Sequence, residues 1–132
     1  MPPVTRWFVK SALACFIAAL VAGVWQAVGG PLWLTPVYIH LLVVGWITGT
    51  IFGVAYWMFP RYSKEQPRGI DWLAVGSFVL LYVGLLLRLV AEPLVAVHPS
   101  SGASRLLVLS ALSQWLAGMA FIVNTWPRVK ER

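Results

Sequence analysis

The chain has 132 residues, of which 60% are apolar and only 11% charged, with a formal net charge of +6. A water-soluble domain of this length carries roughly 25% charged residues, so so few charges exclude a soluble shell and lipid is the expected solvent. A helix spanning the hydrocarbon core takes about 20 apolar residues, which leaves room for four spans with their loops and not comfortably for five.

Stretches free of Asp, Glu, Lys and Arg run from Ser11 to Pro60, from Trp72 to Leu87 and from Leu106 to Pro127. The first is too long for one helix and is broken by Gly29-Gly30-Pro31 and again by Pro36, residue types that interrupt helices. The predicted elements, in chain order, are helices at about 9–28, 37–59, 72–92 and 105–125, an all-α antiparallel bundle of four transmembrane helices in a single domain covering 1–132.

The first helix follows Arg6 and Lys10. Ala12-Leu13-Ala14-Cys15 loosely matches a lipoprotein cleavage box, but it lies too early to leave an apolar segment before the cysteine, so the span is expected to be retained. Cys15 is the single cysteine and carries no information on redox compartment. The second helix holds His40 about one turn inside its start and Gly45, Gly49 and Gly53 at a spacing of four. A loop with Arg61, Lys64 and Arg68 leads to the third helix, which carries Gly76 and Gly84 and ends on Arg88 and Glu92. His98 falls in the next loop, Arg105 opens the fourth helix, and Ser110, Gln114 and Gly118 share one side of it. Small residues at this spacing let helix backbones approach closely in lipid, so Gly45, Gly49, Gly53 and Gly118 are expected packing positions. Gln114 is an amide at mid-membrane and is expected to face the bundle, a cofactor or another subunit.

Arg6, Lys10, Arg61, Lys64, Arg68, Arg128, Lys130 and Arg132 fall on one side of the predicted topology, and only Arg88 and Arg105 on the other. The positive-inside rule then puts both termini and the loop 60–71 in the cytoplasm, as in a bacterial-type inner membrane protein. Trp7, Trp25, Trp33, Trp57, Trp72 and Trp126 lie near span ends, where an amphipathic ring is favoured, while Trp46 and Trp115 lie at mid-depth. No basic patch larger than a flanking segment is present, so nucleic acid is not an expected partner. The expected partners are the lipid bilayer and either a second copy or a larger membrane complex.

Groups able to do chemistry are few. There is no intramembrane carboxylate pair, no Cys/His cluster at zinc spacing and no Gly-rich phosphate loop. His40, Arg88, Glu92, His98 and Arg105 remain, all in the predicted outer half. Arg88 and Glu92, four apart, read most simply as an intrahelical ion pair, Arg105 as a snorkelling cation and His98 as a loop histidine. His40 is a functional candidate by default, because polar groups inside a membrane are expensive. At about 100° per residue, His40 points roughly away from the glycine ridge, along a face continuing through Ile47, Ile51, Val54 and Met58.

The run Ile39-His40-Leu41-Leu42-Val43-Val44-Gly45-Trp46, continuing as Ile51-Phe52-Gly53-Val54-Ala55-Tyr56-Trp57-Met58-Phe59-Pro60-Arg61, resembles the second helix of the catalytic subunit (subunit I) of the haem-copper oxidase and nitric oxide reductase superfamily. In that family the helix begins with a histidine that ligates the low-spin haem and closes on a proline after an aromatic-rich end. The likeness is nearest to the nitric oxide reductase branch and to small four-span proteins that look like fragments of such subunits. The ending Gln114-Trp115-Leu116-Ala117-Gly118 with Asn124-Thr125-Trp126-Pro127-Arg128 is similar to those small proteins more loosely.

The resemblance covers about 23 residues and maps one family ligand, His40. Without the family's twelve spans, its adjacent histidine pair or further intramembrane histidines, the chain is not expected to turn over oxygen or nitric oxide alone. It implies a b-type haem near the outer face, with His40 as axial ligand, His98 or the His40 of a second copy as the other, and Arg88 and Arg105 as cations for the propionates. Electron transfer or gas sensing is the function this implies. The alternatives are a cofactor-free accessory subunit of a respiratory or photosynthetic complex, or a minimal transporter, disfavoured by the lack of a membrane-embedded acid to couple protons.

Overall fold

The computed structural model describes residues 1–129, so the predicted topology charges Lys130 and Arg132 lie outside the described residues. Four helices are long and apolar enough to cross a membrane: α1 (Pro3–Ala27), α2 (Leu34–Met58), α3 (Asp71–Val97) and α4 (Ser101–Thr125), the last continued by a 3₁₀ turn (Trp126–Arg128). No strand occurs among the described residues.

Each helix begins earlier than expected, for local reasons. Pro3 occupies the first turn of α1, where a missing N–H costs nothing, and Arg6 and Lys10 ride exposed on the helix instead of preceding it. Pro36, expected as a break, lies in the first turn of α2 for the same reason. At α4 the Ser100 hydroxyl accepts a hydrogen bond from the Ala103 amide at 3.2 Å, an N-cap that starts the helix four residues before the predicted boundary. α3 runs through Pro93 to Val97, about a turn past its predicted end. Between α1 and α2 the chain turns at Gly29, whose φ of 96° is a left-handed conformation suited to glycine, and the Gly30 amide closes the turn on the Trp25 carbonyl at 2.9 Å.

Contacts pair the helices in opposite residue order. On α1 and α2, Phe8 faces Gly53, Ala12 faces Gly49, Cys15 faces Gly45 and Tyr38 lies against Gly23. α3 and α4 have the most extensive interface, where the buried Ser77 hydroxyl donates to the Ala117 carbonyl at 2.9 Å. Phe52 and Phe121 stack at 4.0 Å between ring centroids and join α2 to α4. The core is narrow, built on Phe8, Tyr56, Leu81 and Ala117, with Phe78 and Phe52 edge-on to Phe8. Large apolar side chains such as Ile17, Val24, Leu86 and Trp115 are more than half exposed, a surface that suits hydrocarbon and would aggregate in water.

The predicted glycine positions separate here. A Cβ at Gly45 or Gly53 would lie 2.7 Å from the Cβ of Cys15 or Phe8, and one at Gly49 would overlap the Tyr82 hydroxyl. A Cβ at Gly118 would meet nothing within 4 Å, so Gly118 makes no close approach within the chain.

Candidate functional site

α2 is not α-helical throughout. Leu41–Thr48 winds as a π-helix, immediately after His40. A π register shifts the backbone bonding from i+4 to i+5, and side chains supplement it: Thr48 Oγ1 donates to the Val43 carbonyl at 2.8 Å and Tyr82 Oη to the Gly45 carbonyl at 3.1 Å. The wider π turn, about 80° per residue against 100°, also changes which way His40 faces. His40 meets Glu92 of α3, and Gly45 meets Leu85 of the same helix, so the separation of faces expected from a regular α-helix does not hold.

His40 Nδ1 lies 2.8 Å from the Pro36 carbonyl and 3.0 Å from Glu92 Oε1. A carbonyl only accepts, so Nδ1 carries the proton in this arrangement, and in the neutral ring Nε2 keeps its lone pair. The side chain is 26% exposed, and Nε2 has no hydrogen-bond partner among the described residues. Glu92 is only 9% exposed, and its second oxygen, Oε2, is buried with no partner. An orphaned carboxylate oxygen is costly, roughly 1–3 kcal/mol.

Arg88 Nη1 approaches Glu92 Oε1 at 3.9 Å, the i,i+4 pair anticipated from spacing. Its Nε donates to Ser110 Oγ of α4 at 3.1 Å. Ser110, fully buried, donates in turn to the Gly84 carbonyl at 2.7 Å and accepts from Gln114 Nε2 at 3.3 Å. A hydroxyl has one proton and two lone pairs, so Ser110 is saturated. Gln114 faces the bundle, as expected for a mid-membrane amide. The result is a polar chain from His40 through Glu92, Arg88 and Ser110 to Gln114, crossing three helices.

His98 and Arg105 are not part of it. His98 is exposed at the end of α3, where its amide caps the Leu94 carbonyl at 2.8 Å, and Arg105 is exposed on α4. Among the described residues no group of three or more His, Cys, Asp and Glu side chains gathers to hold a metal ion. Comparison with protein-family models, with curated proteins and with solved structures gave no match.

Sequence reasoning missed the other end of the bundle. Arg128, expected only as a topology charge, is 1% exposed. Its guanidinium donates to the carbonyls of Tyr56 (2.9 Å), Phe59 (2.8 Å) and Pro60 (3.0 Å), capping α2, and more weakly to that of Arg68 (3.4 Å). Asn124 Oδ1 accepts from the Ile70 amide at 2.7 Å and fixes the start of α3, and Tyr56 donates to Asp71 at 3.3 Å. The only available signal was the Pro127-Arg128 pair just past a long apolar run, which does not reveal what it caps.

Proposed function

We propose that this is a small multi-pass membrane protein of an inner-membrane type, an antiparallel bundle with both termini cytoplasmic, that holds a b-type haem through His40 near the outer face. The haem serves electron transfer or gas sensing, and the chain has no turnover of its own. One observation carries the reading: Nδ1 of His40 is bound on its proton side by the Pro36 carbonyl and the Glu92 carboxylate, leaving Nε2 with a free lone pair. Iron-ligating imidazoles are oriented in this way, by a carbonyl or carboxylate on the far nitrogen that fixes the tautomer and raises ligand basicity. Bound haem supplies one-electron exchange at iron or an open position for a diatomic gas.

The remaining residues serve unequal parts. Glu92 positions the ring, Arg88 holds Glu92, and Ser110 anchors Arg88, so Arg88 is committed inside the bundle and Arg105 is the freer cation for a propionate. His98 or the His40 of a second copy would supply the iron's other protein ligand. Exposure of His40, between the exposed Ile39 and Val43, supports the second copy. A reduced-minus-oxidised spectrum of protein from haem-replete cells tests the proposal. The expected result is a Soret band that His40→Ala abolishes and His98→Ala retains, and a colourless protein overturns it.

A cofactor-free accessory subunit is the second reading, and α4 favours it. Only 11% of its apolar window is buried, against 22–28% for the other three, leaving Leu112, Trp115 and Met119 on an open face. Co-purification with a larger complex whose spectrum is unchanged on deletion of this chain supports it.

A further inference from the structure

We propose that the end of α2 at the 59–70 loop is a binding site for one anionic phospholipid, its phosphate held by Arg61, Lys64 and Arg68 and an acyl chain lying along α2. A cavity of about 530 Å³ opens between the last turn of α2 and this loop, lined by the three cations together with Trp57 and Phe59. Buried Arg128 forms part of its wall, but its guanidinium is turned onto backbone carbonyls. Phe59 also lines a second, apolar cavity of about 510 Å³ that follows the outer face of α2 past Met58, Ala55 and Val54. Thr50 and Ile51 carry that cavity into a third, of about 220 Å³, which ends at Trp46. Consecutive hollows share lining residues, Phe59 and then Thr50 and Ile51, so the three follow one another along α2 from a basic mouth to an apolar end. At 1.5 Å per residue, Phe59 to Trp46 is roughly 20 Å, enough for a chain reaching through a leaflet of about 15 Å.

Charge selects the occupant. Among the described residues no acidic side chain lines the basic cavity; Glu65 and Asp71 line the neighbouring one, where Asp71 is bonded to Tyr56. The one ion pair between charged side chains among the described residues is Arg88–Glu92, at the far end of the bundle, so Arg61, Lys64 and Arg68 line the cavity with no carboxylate within ion-pair distance among the described residues. Three cations around one cavity attract a phosphodiester, and one carrying its own ammonium group is attracted less. The site is independent of His40.

Native mass spectrometry of the full chain in a non-ionic detergent, titrated with phosphatidylglycerol or phosphatidylcholine, tests the proposal. The expected result is one retained phosphatidylglycerol and a preference over phosphatidylcholine that falls about fivefold for each of Arg61→Gln, Lys64→Gln and Arg68→Gln. Arg6→Gln with Lys10→Gln is expected to leave the preference intact, and Ala55→Trp, which fills the groove, to remove the retained lipid while helix content is unchanged. Equal binding of the two lipids, or equal loss with the Arg6/Lys10 variant, overturns the site. Displacement of the lipid by millimolar inorganic phosphate overturns the acyl groove and leaves a free-anion pocket.

Discussion

Gly45, Gly49 and Gly53 sit where α2 closely approaches its neighbours, with no room for a side chain. Gly45 and Gly53 give way to Cys15 and Phe8 of α1, whereas Gly49 gives way to the Tyr82 hydroxyl of α3. Overpacking a tight interface costs about 1–3 kcal/mol, so Gly53→Ala and Gly49→Ala are expected to lower thermal stability in micelles by that order. Gly118→Ala meets open space and gains helix propensity, so the same circular-dichroism melt is expected to show no loss and up to about 0.5–1 kcal/mol of gain. At Glu92 the expectation concerns the ring it holds. Glu92→Gln keeps an oxygen for Nδ1 of His40, while Glu92→Ala removes it. On the haem reading, titration of haem into the purified protein is expected to show roughly tenfold weaker binding for the alanine variant and a smaller loss for glutamine.

α2 is regular at both ends and wide in the middle, and both departures from an ordinary helix are met by other elements. Tyr82 of α3 bonds a carbonyl of the π segment, and Arg128, from the turn after α4, caps the last carbonyls. Arg128 thereby ties together the ends of two helices that lie far apart in sequence. Arg128→Gln leaves several carbonyls without a charged donor and is expected to cost about 2–4 kcal/mol, read as a lower melting temperature and faster proteolysis within the 61–68 loop. Lysine is not expected to rescue it, because a single ammonium cannot reach carbonyls spread around a helix end as a planar guanidinium does.

Across the whole molecule, charge and polarity divide between two ends. The loop end gathers the basic residues and the lipid cavity; the other end holds the His40–Glu92–Arg88 chain within otherwise apolar surroundings. The topology proposed from the basic residues has a direct check. In a Cys15→Ala background, Ser63→Cys is expected to react with a membrane-impermeant maleimide only after the cytoplasmic side is opened, and Ser101→Cys in intact cells. The reverse labelling pattern overturns the orientation and moves His40 to the cytoplasmic half.

Composition and spacing pointed to lipid as the solvent, to four helices and to five polar residues worth weighing, because scarcity of charge and its distribution are local properties that a single chain displays openly. The ends were less legible: Pro36 read as a break, yet it sits in the first turn of α2, as Pro3 does in α1, and α3 continues through Pro93. Spacing also placed Arg88 beside Glu92, four residues apart on one helix. Only the tertiary structure decided that Glu92 reaches His40, that Ser110 anchors Arg88, and that Arg128 is a buried cap. Those partners come from different helices, so no periodicity within one segment could carry them, and the π register at Leu41–Thr48 is not marked by any spacing in the sequence.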